Sequence, residues 1–228
     1  MNTVPAIDLP GRVAAVRDRI ARAGGDPDAV RLVAVTKGFD AGVVRKALDA
    51  GLRDIGESYV QELVRKASEL GESADERGLR WHFVGRLQRN KVRKAAPYVS
   101  LWHSVDRLAL GAEIARLAPG AAVLAQVNAS GEASKAGSEP TMAAALVDGL
   151  VDLGLDVRGL MTIAPAGPAE GARPAFRTLR ELAQRLGLTE LSMGMSDDLE
   201  VAVQEGATMV RVGRDLFGPR PDRVGVRD

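Results

Sequence analysis

The 228-residue chain has no cysteine, which excludes disulfides, thiolate zinc sites and a cysteine nucleophile, although it does not by itself fix the redox compartment. Long apolar runs are also missing: nothing approaches the ~20 consecutive apolar residues that a membrane-spanning helix needs. The segment Met1 to Pro10 carries Asp8 and lacks a basic stretch followed by an apolar one, so no secretory signal is read there and the cytoplasm is the expected compartment. A surplus of charge is absent too. With 31 basic and 30 acidic residues the formal net charge is +1, which excludes a global polyanion-binding signature. Neither common nucleotide fingerprint occurs, since no G-x-G-x-x-G follows the first strand-like run and no G-x-x-x-x-G-K-[ST] is found anywhere.

What the chain does have is 46% hydrophobic against 27% charged residues, enough apolar material for a sizeable core, set out in alternating strand-like and helix-like segments. An opening helix over 9–23 carries Val13, Val16 and Ile20 at helical spacing, opposite Arg12, Arg19 and Arg22. Strands are then expected over 32–37, 53–56, 79–85, 100–105, 122–128, 157–163, 191–195 and 208–212. Helices are expected between them over 41–50, 59–70, 88–96, 106–117, 140–153, 175–186 and 197–205. Eight βα units in a chain of this length predict one α/β domain over residues 1–228, a (β/α)8 TIM barrel with the first helix covering one end. A doubly wound open sheet is the alternative. Because a closed barrel has no free sheet edge, a monomer is expected. The Pro/Gly/Ala-rich stretch 164–174 reads either as a lid over the reaction face or as a plain connection.

In such a barrel the C-terminal strand ends gather on the face where reaction sites lie. Here the expected ends supply Lys37, Glu57, Gly85, Ser104, Asn128, Thr162, Ser196 and Arg211 with Gly213. Lys37 is the most informative of them. It closes Leu32-Val33-Ala34-Val35-Thr36-Lys37, an apolar, β-branched run that reads as a buried parallel strand ending in a primary amine. Desolvation against an apolar wall favours the neutral amine, which attacks aldehydes and ketones, so Schiff-base chemistry is indicated. A lysine that merely ends a strand and reaches into solvent is the plainer reading. The last two units read Ser192-Met193-Gly194-Met195-Ser196-Asp197-Asp198 and Val210-Arg211-Val212-Gly213-Arg214, where barrels of this kind often bind phosphate. Ser196 sits where a helix is expected to start, so its hydroxyl and the neighbouring N–H groups either cap that helix or hold an anion. A phosphate site opposite an amine suggests a phosphorylated aldehyde, and pyridoxal 5′-phosphate (PLP) is the cofactor of that description.

Three further segments extend the pattern: Gly56-Glu57-Ser58-Tyr59-Val60-Gln61-Glu62, Trp81-His82-Phe83-Val84-Gly85-Arg86-Leu87-Gln88-Arg89-Asn90-Lys91 and Gly159-Leu160-Met161-Thr162-Ile163. With the three above they make six ordered motifs, and across almost its whole length the chain resembles the YggS/PROSC family of PLP homeostasis proteins. The resemblance implies the barrel of the alanine-racemase-like PLP proteins without their second domain. It implies that Lys37 forms the internal aldimine and that Arg211 faces the pyridine nitrogen. Ser196 and the backbone around Gly213 and Arg214 would hold the phosphate, with Met193 and Gly194 beside it. Two supporting positions of the family fall on His82 and Asn128, for which a hydrogen-bonded strand-end histidine and a loop-capping asparagine are the plainer readings. His103 reads as structural. The family's G-E-N-Y carries Ser58 in place of its asparagine. Its N-x-S-x-E-x-S-K-x-G appears as Asn128 to Gly137 and keeps Lys135, a second lysine that either takes PLP or is simply solvated.

An arginine partner has a chemical consequence. Guanidinium is always protonated and can only donate, so the ring nitrogen stays unprotonated and the ring is a weaker electron sink than one facing Asp or Glu. Transamination and decarboxylation are thereby disfavoured. Racemisation needs an acid/base group on the face opposite Lys37, and the two phenols, Tyr59 and Tyr98, lie at no expected strand end. The expected function is therefore a PLP-binding protein of vitamin B6 homeostasis that buffers the cofactor or delivers it to PLP-dependent apoenzymes, with little or no turnover. A PLP-dependent amino-acid racemase and a PLP-free Schiff-base aldolase or lyase are the alternatives. Nucleic-acid binding would rest on Arg86, Arg89, Lys91, Arg93 and Lys94, a run that reads as a solvated helix face without interleaved stacking aromatics.

Overall fold

The computed structural model describes residues 7–71, 76–132 and 135–219. Its strands are β1 (Arg31–Val35), β2 (Asp54–Glu57), β3 (Arg80–Phe83), β4 (Val99–Val105), β5 (Ala122–Gln126), β6 (Asp156–Met161), β7 (Glu190–Ser192) and β8 (Met209–Val212). Each pairs in parallel with its sequence neighbour. The last returns to the first through Arg31↔Met209, Leu32↔Val210, Val33↔Arg211 and Ala34↔Val212, so the sheet closes into a barrel and the open-sheet alternative is excluded. Strands covered on both faces read as nearly continuous apolar runs, and every residue of β5 and of β8 is buried.

Around the sheet lie α1 (Leu9–Arg22), α2 (Ala41–Asp49), α3 (Val60–Leu70), α4 (Val92–Ala95), α5 (Leu108–Leu117), α6 (Ala143–Asp152), α7 (Arg173–Arg185), α8 (Leu199–Gln204) and α9 (Arg214–Phe217). In α1, Leu9, Val13, Val16 and Ile20 form one buried stripe at the expected spacing. Its start is capped by Asp8, which accepts from the Gly11 N–H at 3.0 Å, as Asp40 caps α2 by accepting from the Val43 N–H at 3.2 Å. The structure corrects the expected placement of α1. Instead of covering an end of the barrel it packs against α8 and α9, filling the outer ring where the final unit's own helix is a single turn. The stretches expected as helices over 88–96 and 140–153 each open with a 3-10 turn, Arg89–Lys91 and Pro140–Met142, before α4 and α6. Helix α7 starts before Pro174, which lies in its first turn, where a missing N–H costs nothing.

Alternate strand residues point to opposite faces, and the buried apolar residues fall accordingly into two clusters. The larger, including Leu32, Ala34, Ile55, Phe83, Trp102 and Val210, lies between sheet and helices. The smaller, Leu101, Ala122, Leu124, Met161 and Met209, fills part of the barrel interior. Much of the remaining interior is polar: Asp54, His82, His103, Ser192 and Arg211, joined to one another by hydrogen bonds. Glu57 points the other way, towards α3. It accepts from Thr36 Oγ1 at 2.6 Å and from Lys66 Nζ, which also donates to the Thr36 carbonyl at 2.7 Å, and both Glu57 and Lys66 are fully buried. Among the described residues no helix is long and apolar enough to cross a membrane.

Candidate functional site

At the C-terminal ends of the strands lies a cavity of about 300 Å³ whose walls include Lys37, Ser58, Ser196, Arg211, Gly213 and Arg214. Val35, Phe39, Val84, Ile163 and Met195 supply its apolar surface. Strand parity places Lys37 there: it follows β1 by two residues and continues the inward phase of Val33 and Val35. Its side chain is half-buried. Ser58 reaches the wall past Gly85, two residues beyond the end of β3, where a Cβ would sit 2.2 Å from the Ser58 carbonyl oxygen.

Arg211 is held on two sides. Its Nη1 donates to Ser192 Oγ at 2.7 Å and its Nη2 to the Thr162 carbonyl at 2.8 Å. Burial pushes the guanidinium down to about 10, with the Asp198 charge opposing the shift, so the group is cationic at neutral pH. Burial raises the Asp198 carboxyl, and its Oδ1 accepts from the Met195 N–H at 2.6 Å. That bond shapes the loop after β7. On the far side of the same loop, Arg19 of α1 donates to the Ser196 carbonyl at 2.9 Å and pairs with Glu200 and Asp215. Helix α8 begins at Leu199 with Asp198 at its cap position, so Ser196 lies two residues ahead of the cap and does not cap the helix. Its hydroxyl lies on the cavity wall instead.

Of the residues singled out from the sequence, the cavity brings together Lys37, Ser196, Arg211, Gly213 and Arg214. Four others sit elsewhere. The Asn128 amide donates to the Glu132 carbonyl at 2.8 Å and accepts from Ser130 Oγ at 3.0 Å, which organises its own loop. Met193 is fully buried in the sheet–helix core. Gly194 has φ +89°, and a Cβ there would meet Ala202 Cβ at 2.5 Å, so it serves the packing of α8. His82 lies inside the barrel, with Nε2 2.8 Å from Asp54 Oδ1 and Nδ1 2.8 Å from His103 Nε2. Burial lowers both imidazoles, His103 the more strongly. Lys135 is tied to the Ala164 carbonyl at 2.7 Å and to Glu132, outside the cavity; Ala133 and Ser134 of its motif fall outside the described residues. Glu57, Gly85, Ser104 and Thr162, expected at the rim, make structural ties: Ser104 Oγ donates to the Gly85 carbonyl and Thr162 Oγ1 to the Val127 carbonyl. What sequence reasoning missed is which residues form the apolar wall beside Lys37, and the interior polar path through Asp54, His103 and Ser192. For the path, parity was the signal, since every second residue of a strand shares a face.

An amine, a fixed cation and a hydroxyl around one small cavity suit an anionic carbonyl compound. Residues 12–221 match the family model described as alanine racemase, N-terminal domain. The chain is 46% identical to the pyridoxal phosphate homeostasis protein of Pseudomonas aeruginosa, over 96% of this chain and 97% of that one. It is 38% identical to the protein of the same name from Escherichia coli K12, over 93% and 97%. A solved structure of PipY from Synechococcus elongatus PCC7942 with PLP bound has a TM-score of 0.74 at 38% identity, covering 89% of this chain and 100% of that one.

Proposed function

The chain belongs to the alanine racemase N-terminal-domain family and, within it, to the pyridoxal phosphate homeostasis proteins, and on that premise we propose that it binds PLP in the strand-end cavity. In this proposal it buffers PLP or delivers it to apoenzymes in the cytoplasm, as a monomer and with little or no turnover of its own. The observation that carries the reading is that Lys37, Ser196, Arg211 and Gly213, from the two ends of the chain, open onto one cavity. The donor set fits the group. Lys37 offers an amine, Arg211 a cationic donor, and Ser196 a hydroxyl beside the first amides of α9, which have no acceptor within the helix. When bound, the cofactor supplies an aldehyde open to reversible condensation with a primary amine, an electron-withdrawing ring and a phosphate anchor.

With PLP in the cavity, Lys37 would hold its aldehyde carbon, Arg211 would donate to the pyridine nitrogen, and Ser196 with the backbone of Gly213 and Arg214 would hold the phosphate. Met193 and Gly194 set the loop that presents Ser196, while His82 and Asn128 act from outside the cavity. Low turnover is supported by Arg211, which cannot give the ring nitrogen a proton and keep its own charge. It is supported also by the lining: among the described residues there, Asp197 is the one carboxylate that could take a proton, and it is ion-paired to Arg214. A closed sheet with no edge for a second copy supports the monomer.

Wild type incubated with PLP is expected to absorb in the visible, and borohydride reduction with peptide mapping is expected to find the pyridoxyl group on Lys37. Lys37→Ala is expected to lose both signals. A wild type that stays colourless in excess PLP overturns the reading and brings the PLP-free Schiff-base lyase forward. Delivery is checked by mixing loaded protein with excess apoenzyme; retention of all PLP under conditions where free PLP loads the acceptor counts against it.

A further inference from the structure

We propose that Ser192, His103 and His82 form one hydrogen-bonded relay through the barrel interior that positions Arg211 at the cavity and ties it to the Asp54–Arg80 pair at the opposite end of the barrel. The proposal rests on the reading of Arg211 as the donor to the pyridine nitrogen. The path has no gap. Arg211 Nη1 donates to Ser192 Oγ at 2.7 Å. Ser192 Oγ lies 2.8 Å from His103 Nδ1, His103 Nε2 lies 2.8 Å from His82 Nδ1, and His82 Nε2 lies 2.8 Å from Asp54 Oδ1. Arg80 closes it from outside, donating from Nε to Asp54 Oδ1 at 2.8 Å and from Nη2 to Oδ2 at 2.6 Å. Asp54 is the first residue of β2 and Arg211 the third of the four in β8, so the path climbs from the base of the barrel to the rim. At the base, Asp54 and Arg80 border a second cavity of about 350 Å³ with Arg17, Arg31 and Arg53.

The two ends fix the direction of every bond between them. A guanidinium only donates and an ionised carboxylate only accepts. Ser192 therefore accepts from Arg211 and passes its own hydrogen to His103 Nδ1. His103 donates from Nε2 to His82 Nδ1, and His82 donates from Nε2 to Asp54. Both imidazoles are neutral, and both carry their proton on Nε2. The opposite direction needs one more proton in the chain, because His82 Nε2 would otherwise face a carboxylate with a lone pair. It would also bring two donors to Ser192 Oγ, from Arg211 and from His103 Nδ1. Ser192, His103 and His82 are each no more than 1% exposed, so these partners are the ones that satisfy them.

The charged groups that face the relay are Asp54 on β2, Arg31 on β1, Arg80 on β3 and Arg211 on β8, with Asp198 ahead of α8 opposite Arg211. Burial above all, with the three arginines, disfavours an imidazolium; Asp54 opposes this at His82 but is outweighed, and the chain keeps its one-way state. A barrel interior is more often filled with branched aliphatic side chains; here that volume holds a line of polar groups whose far end is a carboxylate. Polarisation along such a line strengthens Ser192 as an acceptor. Two nitrogens of Arg211 are thereby committed, to Ser192 and Thr162, and the guanidinium plane is set.

Nitrogen-15 correlation spectra of the cofactor-free wild type are expected to show both imidazoles with Nε2 protonated and Nδ1 bare, unchanged from about pH 8 to about pH 6, where a free histidine titrates. Ser192→Ala and Asp54→Asn, at the two ends, are each expected to weaken PLP uptake roughly tenfold, the loss carried by one charge-assisted hydrogen bond. The double variant is expected to bind no more weakly than Ser192→Ala alone, because the line is already cut. A proton on Nδ1 of either imidazole, or a double variant whose loss is the product of the single losses, overturns the relay. The spectra need no substitution, so a variant that fails to fold leaves the decision with them. A wild type that takes up no PLP overturns the proposed function instead, and the imidazole spectra still decide the relay.

Discussion

A Cβ on Gly85 would lie 2.2 Å from the Ser58 carbonyl oxygen and 2.6 Å from its Cα, both backbone contacts that no rotamer change relieves. Gly85→Ala is therefore expected to push the β2–α3 connection outward and cost about 1–3 kcal/mol of stability. The urea midpoint measures that loss, and a PLP titration shows whether the wall formed by Ser58 loosens with it. Residues differ in how openly the sequence declares them. Lys37 is declared by its position, an amine at the end of an apolar run, and needs no knowledge of a partner. Gly85 is not, because what it avoids is a backbone atom from another strand's connection. The relay is less legible again: His82 and His103 are separated by 21 positions and His103 and Ser192 by 89. One local sign existed. In Trp81-His82-Phe83 a polar residue alternates with two aromatics, and in a barrel strand that puts the polar residue inside.

At the scale of elements, β1, β2 and α3 are fastened by the buried group of Thr36, Glu57 and Lys66. Removing one partner of such a pair leaves the other uncompensated. Lys66→Met is thus expected to cost about 3–5 kcal/mol, whereas Lys66→Met with Glu57→Leu recovers most of it; urea unfolding of the two variants makes the comparison. The order and type of the main elements were legible because apolar runs and helical stripes alternate eight times. Their edges were less so. Asn128 continues an apolar strand by composition, but β5 stops at Gln126 and Asn128 turns to its own loop. Ser196 resembles a cap, but the loop carries the chain two residues further before α8 starts. In both places a side-chain hydrogen bond within the loop itself, Asn128 to the Glu132 carbonyl and the Met195 N–H to Asp198, decided what local propensity left open.

For the molecule as a whole, the buried imidazoles make stability depend on pH. His82 and His103 are both lowered from the ordinary value of 6.5, chiefly by burial. Between their folded values and about pH 6.5 the unfolded chain binds more protons than the folded one, so stability rises with pH across that window and is level above it. The slope is up to about 1.4 kcal/mol per pH unit for each imidazole. Burial would raise the Asp54 carboxyl, but its bonds from His82 and Arg80 outweigh this and hold it below the usual range. Its contribution is present above about pH 4 and lost as pH falls further. Urea midpoints at four pH values, 8, 7, 6 and 5, are expected to be level over the first two and to fall over the last two; an unchanged midpoint down to the lowest would mean that the imidazoles do not stay neutral. The pairing of β1 with β8 has a consequence in time. Arg31 and its partner Met209 are 178 positions apart, so a chain made from its N-terminus at roughly 5–20 residues per second carries β1 with one edge open for on the order of ten to forty seconds. Through that interval the amine beyond β1 has no cavity around it. The site is assembled last, and whatever it holds is taken up by a finished barrel.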